Sequence, residues 1–163
     1  MRKRSKAREY ALQILYQVDI RHADCGQILG EFWQDHQPSA EIRTFATQLA
    51  EGAAVHQPEI DALITRHAEH WALKRMAVID RNILRLGTFE LLHVDDVPPS
   101  VSINEAIELA KRFGDAESAK FINGVLDAIH KAHARATPPP ADAPAPACPD
   151  AGEAGRPADP PVR

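Results

Sequence analysis

Apolar residues recur along this chain at intervals of three and four, and no stretch alternates apolar with polar as a half-buried strand would. In the first segment Tyr10, Ala11, Ile14, Leu15 and Val18 mark one helical face. A shorter apolar patch, Ile28–Trp33, predicts a second helix, and Pro38-Ser39 opens a third carrying Ile42, Phe45, Ala46, Leu49 and Ala53. Pro58 suits the first turn of a fourth, with Ile60, Leu63 and Ile64. A long fifth helix is expected over about 74–93, where Gly87 implies a closely approaching neighbour and Pro98-Pro99 lies beyond the end. Ser102 and Glu105 have capping-box spacing at the start of a sixth, with Ile103, Ala106, Ile107 and Ala110 as its buried stripe. Gly114 suits a left-handed stop, and Asp115 a cap for a seventh helix lined by Ile122, Leu126 and Ile129. The pattern predicts an all-α fold of about seven helices joined by short connections, with no solenoid repeat.

Composition divides the chain. Nine of its 13 prolines lie from Thr137 onward, among alanines and with hardly any large apolar side chain. Such a segment buries too little surface to offset its ordering entropy, so 137–163 is expected to be a disordered tail beside a domain spanning 1–136. Cys25 and Cys148 are the only cysteines, too few and too far apart for a disulfide framework or a zinc spacing, which favours a reducing, cytoplasmic setting. No apolar run approaches the roughly 18 residues that span a bilayer.

Charge changes the picture more. The whole chain carries a formal net charge of −4, yet five of its first eight residues are cations: Arg2, Lys3, Arg4, Lys6 and Arg8. Residues 9–136 alone stand at −7. If Ser5 is the N-cap, Lys6 and Arg8 occupy the first helical turn, where the macrodipole disfavours cations by about 0.3–1 kcal/mol each. That placement is poor for stability and suited to a phosphate ligand, which would meet both the charges and the free amides of the helix end. A merely solvated basic end is the plainer reading of the same residues.

The run PPSVSINEAIELAKRFGDAESAKFINGVLDAI decides between them. Val101, Ile103-Asn104-Glu105-Ala106-Ile107 and Leu109-Ala110-Lys111, then Phe113-Gly114, then Lys120-Phe121-Ile122-Asn123-Gly124-Val125-Leu126-Asp127, resemble the signature of the transcription antitermination factor NusB family. IDRNILRLGTFELL and Ala11-Leu12-Gln13-Ile14-Leu15-Tyr16 resemble the same family. The resemblance covers residues 3–130; the tail departs from it. It implies two packed helical subdomains without catalytic activity, binding to the boxA element of nascent RNA, and pairing with the ribosomal protein NusE. It further implies read-through of terminators by RNA polymerase, notably in ribosomal RNA operons.

On that resemblance Arg2, Lys3, Arg4, Lys6 and Arg8 are expected to neutralise RNA phosphates. Five contacts to a single strand would give a slope of about −3.5 in log K against log salt. Lys111, Arg112 and Lys120 flank the turn at Gly114 and are candidates for a second phosphate seat, or for an ordinary solvated face. Phe121 is a candidate for stacking an unpaired base, or for widening the core stripe with Val125. Asn123 can read a base edge or cap a neighbouring carbonyl, and Gly124 is expected to serve close helix packing. Tyr16 and Asp80 are the residues the resemblance offers to the protein partner, against the plainer readings of a core-edge tyrosine and a surface charge.

His67/His70 and His130/His133 have helical i, i+3 spacing, but no further ligand in the sequence completes a zinc site around either pair, and none is expected. No catalytic motif is present, so no enzyme and no cofactor are expected. The competing readings are a structural homo-oligomer with nonspecific RNA binding, the N-terminal part of an RNA methyltransferase, and a DNA-binding regulator. A homodimer is left open.

Overall fold

The computed structural model describes residues 2–136; the expectation of a disordered tail over 137–163 lies outside them. Seven helices follow one another: α1 (Lys3–Arg21), α2 (Cys25–Asp35), α3 (Ala40–Val55), α4 (Gln57–His67), α5 (Val78–His93), α6 (Pro99–Phe113) and α7 (Ser118–Ala136), with a single 3-10 turn at Leu73–Arg75 before α5. Among the described residues there is no strand. The expected all-α architecture is therefore present.

Packing falls into two groups. Helices α1, α2 and α3 pack on one another, and α5, α6 and α7 form a second set that α4 also joins. Contacts of α1 and α3 with α5 unite the groups. The periodic positions do this work. Ile14, Ile28, Leu49, Ile60, Ile64, Ile83, Leu84, Leu86, Ile122, Leu126 and Ile129 are all essentially solvent-free. Burying each such side chain contributes about 1.5–3 kcal/mol, which is what offsets chain entropy in a fold this small. An aromatic cluster closes one end, where Tyr10 meets the edges of Phe32 and Trp33 at 5.5 and 5.9 Å between centroids.

Gly87 has the neighbour it implied. A Cβ there would stand 2.9 Å from the Leu126 side chain of α7, which would have to shift, and in ordinary contact at 3.6 Å with Ala106 of α6, so the glycine permits the close approach of α7.

Several terminal signals resolve differently from the sequence reading. The first helix begins at Lys3 with Arg2 in the cap position, not at Ser5. Ser5 instead donates to Glu105 at 3.0 Å, fastening α1 to α6. The capping box of Ser102 and Glu105 does not form, because Pro98-Pro99 starts α6 a full turn earlier and supplies its pre-set φ. Ser102 is buried and donates to Glu90 at 3.2 Å. Gly114 is extended (φ −97°), not left-handed. Its requirement is steric: a Cβ would meet Ser118 Oγ at 2.7 Å and the Ala110 carbonyl at 2.8 Å. The left-handed residue is His22, which ends α1 at φ 49°. Asp115 does cap the approach to α7, accepting the amides of Glu117 and Ser118 at 3.0 Å each. Gly124 packs against nothing within 4 Å and is exposed, so it serves no helix crossing.

Candidate nucleic-acid interface

The basic opening is built into α1. Arg2, Lys3 and Arg4 are exposed and Lys6 is half-buried, while the first turn holds no acidic residue and no side-chain cap. Its first amides are therefore open to an anion. Three of the cations pair with carboxylates: Lys3 with exposed Glu41 at 3.0 Å, Arg4 with exposed Asp96 at 2.9 Å, and Lys6 with the buried Glu9 at 3.3 Å. Arg4 also lies over the Phe45 ring at 4.5 Å, and its hydrogen bond to Asp96, aided by its charge, lowers the pKa of that carboxyl. The two pairs exposed on both sides, at Lys3 and Arg4, are worth about 0–1 kcal/mol each, so a phosphate can displace those carboxylates at small cost.

Arg8 is the exception among the five. Its side chain is 3% exposed and its Nε donates to both oxygens of Glu90, itself 2% exposed, at 3.0 Å. Glu105 stands 3.9 Å from its Nη1. This guanidinium is enclosed where α1, α5 and α6 meet and offers no charge to the surface. The reason is register: with the helix starting at Lys3, position 8 falls beside Ala7, Ala11 and Leu12 on the buried side. Four cations, not five, are available for phosphate.

The fold brings a second basic pair to the same arm. Lys111 and Arg112, at the end of α6, line a groove of about 370 Å³ with Ser5, Glu9, Glu105 and Leu109. Arg112 forms an ion pair with Glu9, and Lys111 reaches Glu108 at 3.4 Å. Residues a hundred positions apart thus share one groove because α6 lies beside the start of α1.

Lys120 and Phe121 stand elsewhere, in a larger cleft of about 590 Å³ between the 68–77 connection, the first turn of α5 and the start of α7. Trp71 is 56% exposed there and meets the Phe121 ring edge-on at 6.2 Å. Arg75 and Lys120 supply positive charge, and Asp80 and Asp115 line the same cleft. Burial pushes the Asp80 carboxyl up, the Asp115 charge adds to this, and Ser118 offsets only part. Asp80 Oδ1 is buried and, among the described residues, has no hydrogen-bond partner. Asn123 is exposed one turn beyond Lys120, outside the cleft lining.

Tyr16 and Asp80 do not share one depression. Tyr16 (38% exposed) sits in an apolar groove with Leu12, Ile79 and Phe113, while Asp80 faces the cleft. Ile79 and Asp80 are consecutive on α5, so the two depressions adjoin through that helix. Trp71 and Arg75 were not singled out from sequence, and Phe113 was read there only as part of the family resemblance. Trp71 had a signal, as an aromatic outside any apolar stripe in the polar run HAEHWALKR.

The NusB family model matches residues 5–131. The chain belongs to the NusB family. Among individual NusB relatives, the transcription antitermination protein NusB of Desulfatibacillum aliphaticivorans is 48% identical over 130 residues, covering 80% of this chain and 91% of its own. The solved NusB of T. maritima is 41% identical with a TM-score of 0.74, covering 78% of this chain and 90% of that one. A chain from the crystal structure of antitermination factors NusB and NusE in complex with dsRNA is 33% identical with a TM-score of 0.74, covering 81% and 98%. No helix among the described residues is long and apolar enough to cross a membrane.

Proposed function

We propose that this NusB-family chain is a non-catalytic, cytoplasmic transcription antitermination factor. It binds boxA RNA together with the ribosomal protein NusE and promotes read-through by RNA polymerase, notably in ribosomal RNA operons. The observation that carries the RNA reading is the junction of α1 with α6. It sets Lys6 beside Arg112, through the Glu9 they share, and places Lys111 in the same groove, next to a helix end that carries Arg2, Lys3 and Arg4 and whose amides lack a side-chain cap. These six residues would position the phosphates. In the separate cleft Trp71 and Phe121 offer ring faces to an unpaired base, worth about 1–3 kcal/mol per stacked base, with Lys120 alongside and Asn123 one turn further on.

For the protein partner, the Tyr16–Phe113 groove is the apolar seat and Asp80 the anchor for a cation. A buried carboxylate oxygen without a donor is costly, and a basic group arriving with a partner would satisfy it.

The test is an anisotropy titration with boxA RNA and a scrambled RNA of equal length, with and without NusE. BoxA should bind more tightly, and more tightly still with NusE present. Replacing Arg2, Lys3, Arg4 and Lys6 by Ala should flatten the salt slope by up to about 2.8, at about 0.7 per lost phosphate contact. Equal affinity for the two RNAs would leave a structural protein with nonspecific RNA binding, and an unchanged slope would remove the arm from the interface.

A further inference from the structure

Where α3 hands over to α4, the chain turns at His56, the residue that ends one helix and begins the next. Glu59 follows in the first turn of α4, and His93 is the last residue of α5. His56 and Glu59 are near neighbours in sequence; His93 is returned to the junction by the packing of α4 on α5. His56 Nδ1 stands 3.5 Å from Glu59 Oε2, and His93 Nε2 stands 3.8 Å from the same oxygen. One ligand atom from each lies within 4.8 Å of the other two.

We propose that His56, Glu59 and His93 form a binding site for a divalent transition-metal ion of the zinc class. Two imidazoles and one carboxylate are the donor set that such ions take, with a fourth position left for water. Zinc–nitrogen and zinc–oxygen bonds of about 2.0–2.2 Å require donor atoms roughly 3.3 Å apart, so the imidazole–carboxylate separations of 3.5 and 3.8 Å need close by about half an ångström or less and the imidazole pair by up to about 1.5 Å. They have the freedom to do so, since all three are partly exposed. The two imidazoles lie nearly face to face, 4.2 Å between centroids and 20° between planes, so one ring has to turn out of the stack to aim its nitrogen at a shared ion; Phe89, at 5.9 Å from His56 and 5.3 Å from His93, backs both. Phe89 is held in turn by Gly52, where a Cβ would come within 2.0 Å of the ring. The C-terminal ends of α3 and α5 meet here and their dipoles favour a cation, while the start of α4 opposes it in part and Glu59 offsets that end.

A metal at this point would tie the α3–α4 junction to the end of α5, and so one helical group to the other. The site is separate from the arm, the groove and the cleft described above, and depends on none of them.

The test is calorimetric titration of the full chain with Zn2+ in a non-chelating buffer, paired with thermal melts. One ion per chain should bind at this site, with Tm raised by roughly 5–10 °C at about a hundredfold excess of free metal over the dissociation constant. Glu59→Gln leaves the ring stack and the core untouched, and should weaken binding about tenfold or more. His56→Gln and His93→Gln should do the same, their folding in the absence of metal being checked by circular dichroism. His67→Gln/His70→Gln should leave the affinity unchanged. Co2+ should give the visible absorption of a four-coordinate ion in the wild-type chain and lose it in Glu59→Gln. Absence of binding, affinity unaltered in Glu59→Gln and His93→Gln, or loss of binding in His67→Gln/His70→Gln would each overturn the site.

Discussion

Arg8→Ala is the substitution on which the charge arithmetic of the arm turns. Arg8 and Glu90 are both almost wholly buried, and the guanidinium donates to both carboxylate oxygens at 3.0 Å. Truncating the arginine leaves the Glu90 carboxylate in the interior with the Ser102 hydroxyl, at 3.2 Å, as its remaining donor. Breaking a buried pair in this way costs about 3–5 kcal/mol. Lys3→Ala, which removes a pair exposed on both sides, should cost no more than about 1 kcal/mol. Against a total stability of about 5–15 kcal/mol, the Arg8 loss is large, and Tm should fall by roughly 10–20 °C.

Urea unfolding followed by circular dichroism measures the difference. A companion variant, Arg8→Met/Glu90→Leu/Ser102→Ala, replaces the whole polar cluster by apolar groups and should recover most of the loss, since no charge is left stranded. That folded variant also allows the RNA question to be asked cleanly. Its boxA salt slope should match wild type, because Arg8 does not reach the surface. An Arg8→Ala cost below about 1 kcal/mol would refute the buried pair. A slope lowered by about 0.7 in the apolar variant would show that Arg8 meets a phosphate after all.

Gly30 and Gly124 both sit inside helices, and a methyl group added at either would meet nothing within 4 Å, so Gly→Ala at either should stabilise by up to about 1 kcal/mol in urea unfolding; only Gly124→Ala, beside Asn123, should also weaken boxA binding. Asp80 has its pKa raised in the fold, so its ionisation costs stability as pH rises through that value. Asp80→Asn should therefore melt higher than wild type at pH 7, converge with it near pH 3, and bind NusE less well in a pull-down titration. Asp19 shows the opposite sign: burial works against its carboxylate, but hydrogen bonds from Arg81 and Asn82 and the charges of Arg81 and Arg85 prevail and lower its pKa. Its stabilisation is present above the unfolded pKa and lost as pH falls through the folded one, so Asp19→Asn should melt lower at pH 7 and show a shallower acid limb.

The helices were legible because their apolar spacing is regular and their burial follows it, from Ile14 to Ile129. Their ends were not, where two signals competed. Pro98-Pro99 and Ser102 both mark a helix start, and the proline pair prevailed because its φ is covalently fixed whereas a serine hydroxyl can find another partner, here Glu90. Arg8 misled for a related reason. A run of cations reads as a surface, but once Lys3 begins the helix, periodicity alone decides that position 8 turns inward. The pairing of Arg81 and Arg85 with Asp19 and Asp61 was equally invisible, being set by helix packing across 24 to 66 residues of chain. So was the meeting of His56 with His93, while the i, i+3 histidine pairs that sequence did display belong to no three-ligand cluster among the described residues.

Placing Arg8 inside has a consequence for how the protein would hold RNA. Four arm cations with Lys111 and Arg112, at about −0.7 each, give a slope of about −4.2 at most, about −2.8 of it from the arm, and the acidic body repels a polyanion wherever it lies beyond them. Phosphate contacts alone then supply modest affinity, and less at higher salt. The remainder has to come from interactions that salt does not weaken, which is what the Trp71–Phe121 cleft would add through stacking. The same negative body that opposes RNA favours a basic protein partner, and Asp80 lies where the cleft and the apolar Tyr16 groove adjoin. RNA and partner binding would then be coupled through charge: a cationic partner seated at Asp80 lowers the repulsion felt by RNA in the neighbouring cleft. Asp80→Asn should accordingly reduce the gain in boxA affinity produced by NusE while leaving RNA binding without NusE unchanged or slightly stronger. If the gain persists in full, the coupling does not pass through that carboxylate.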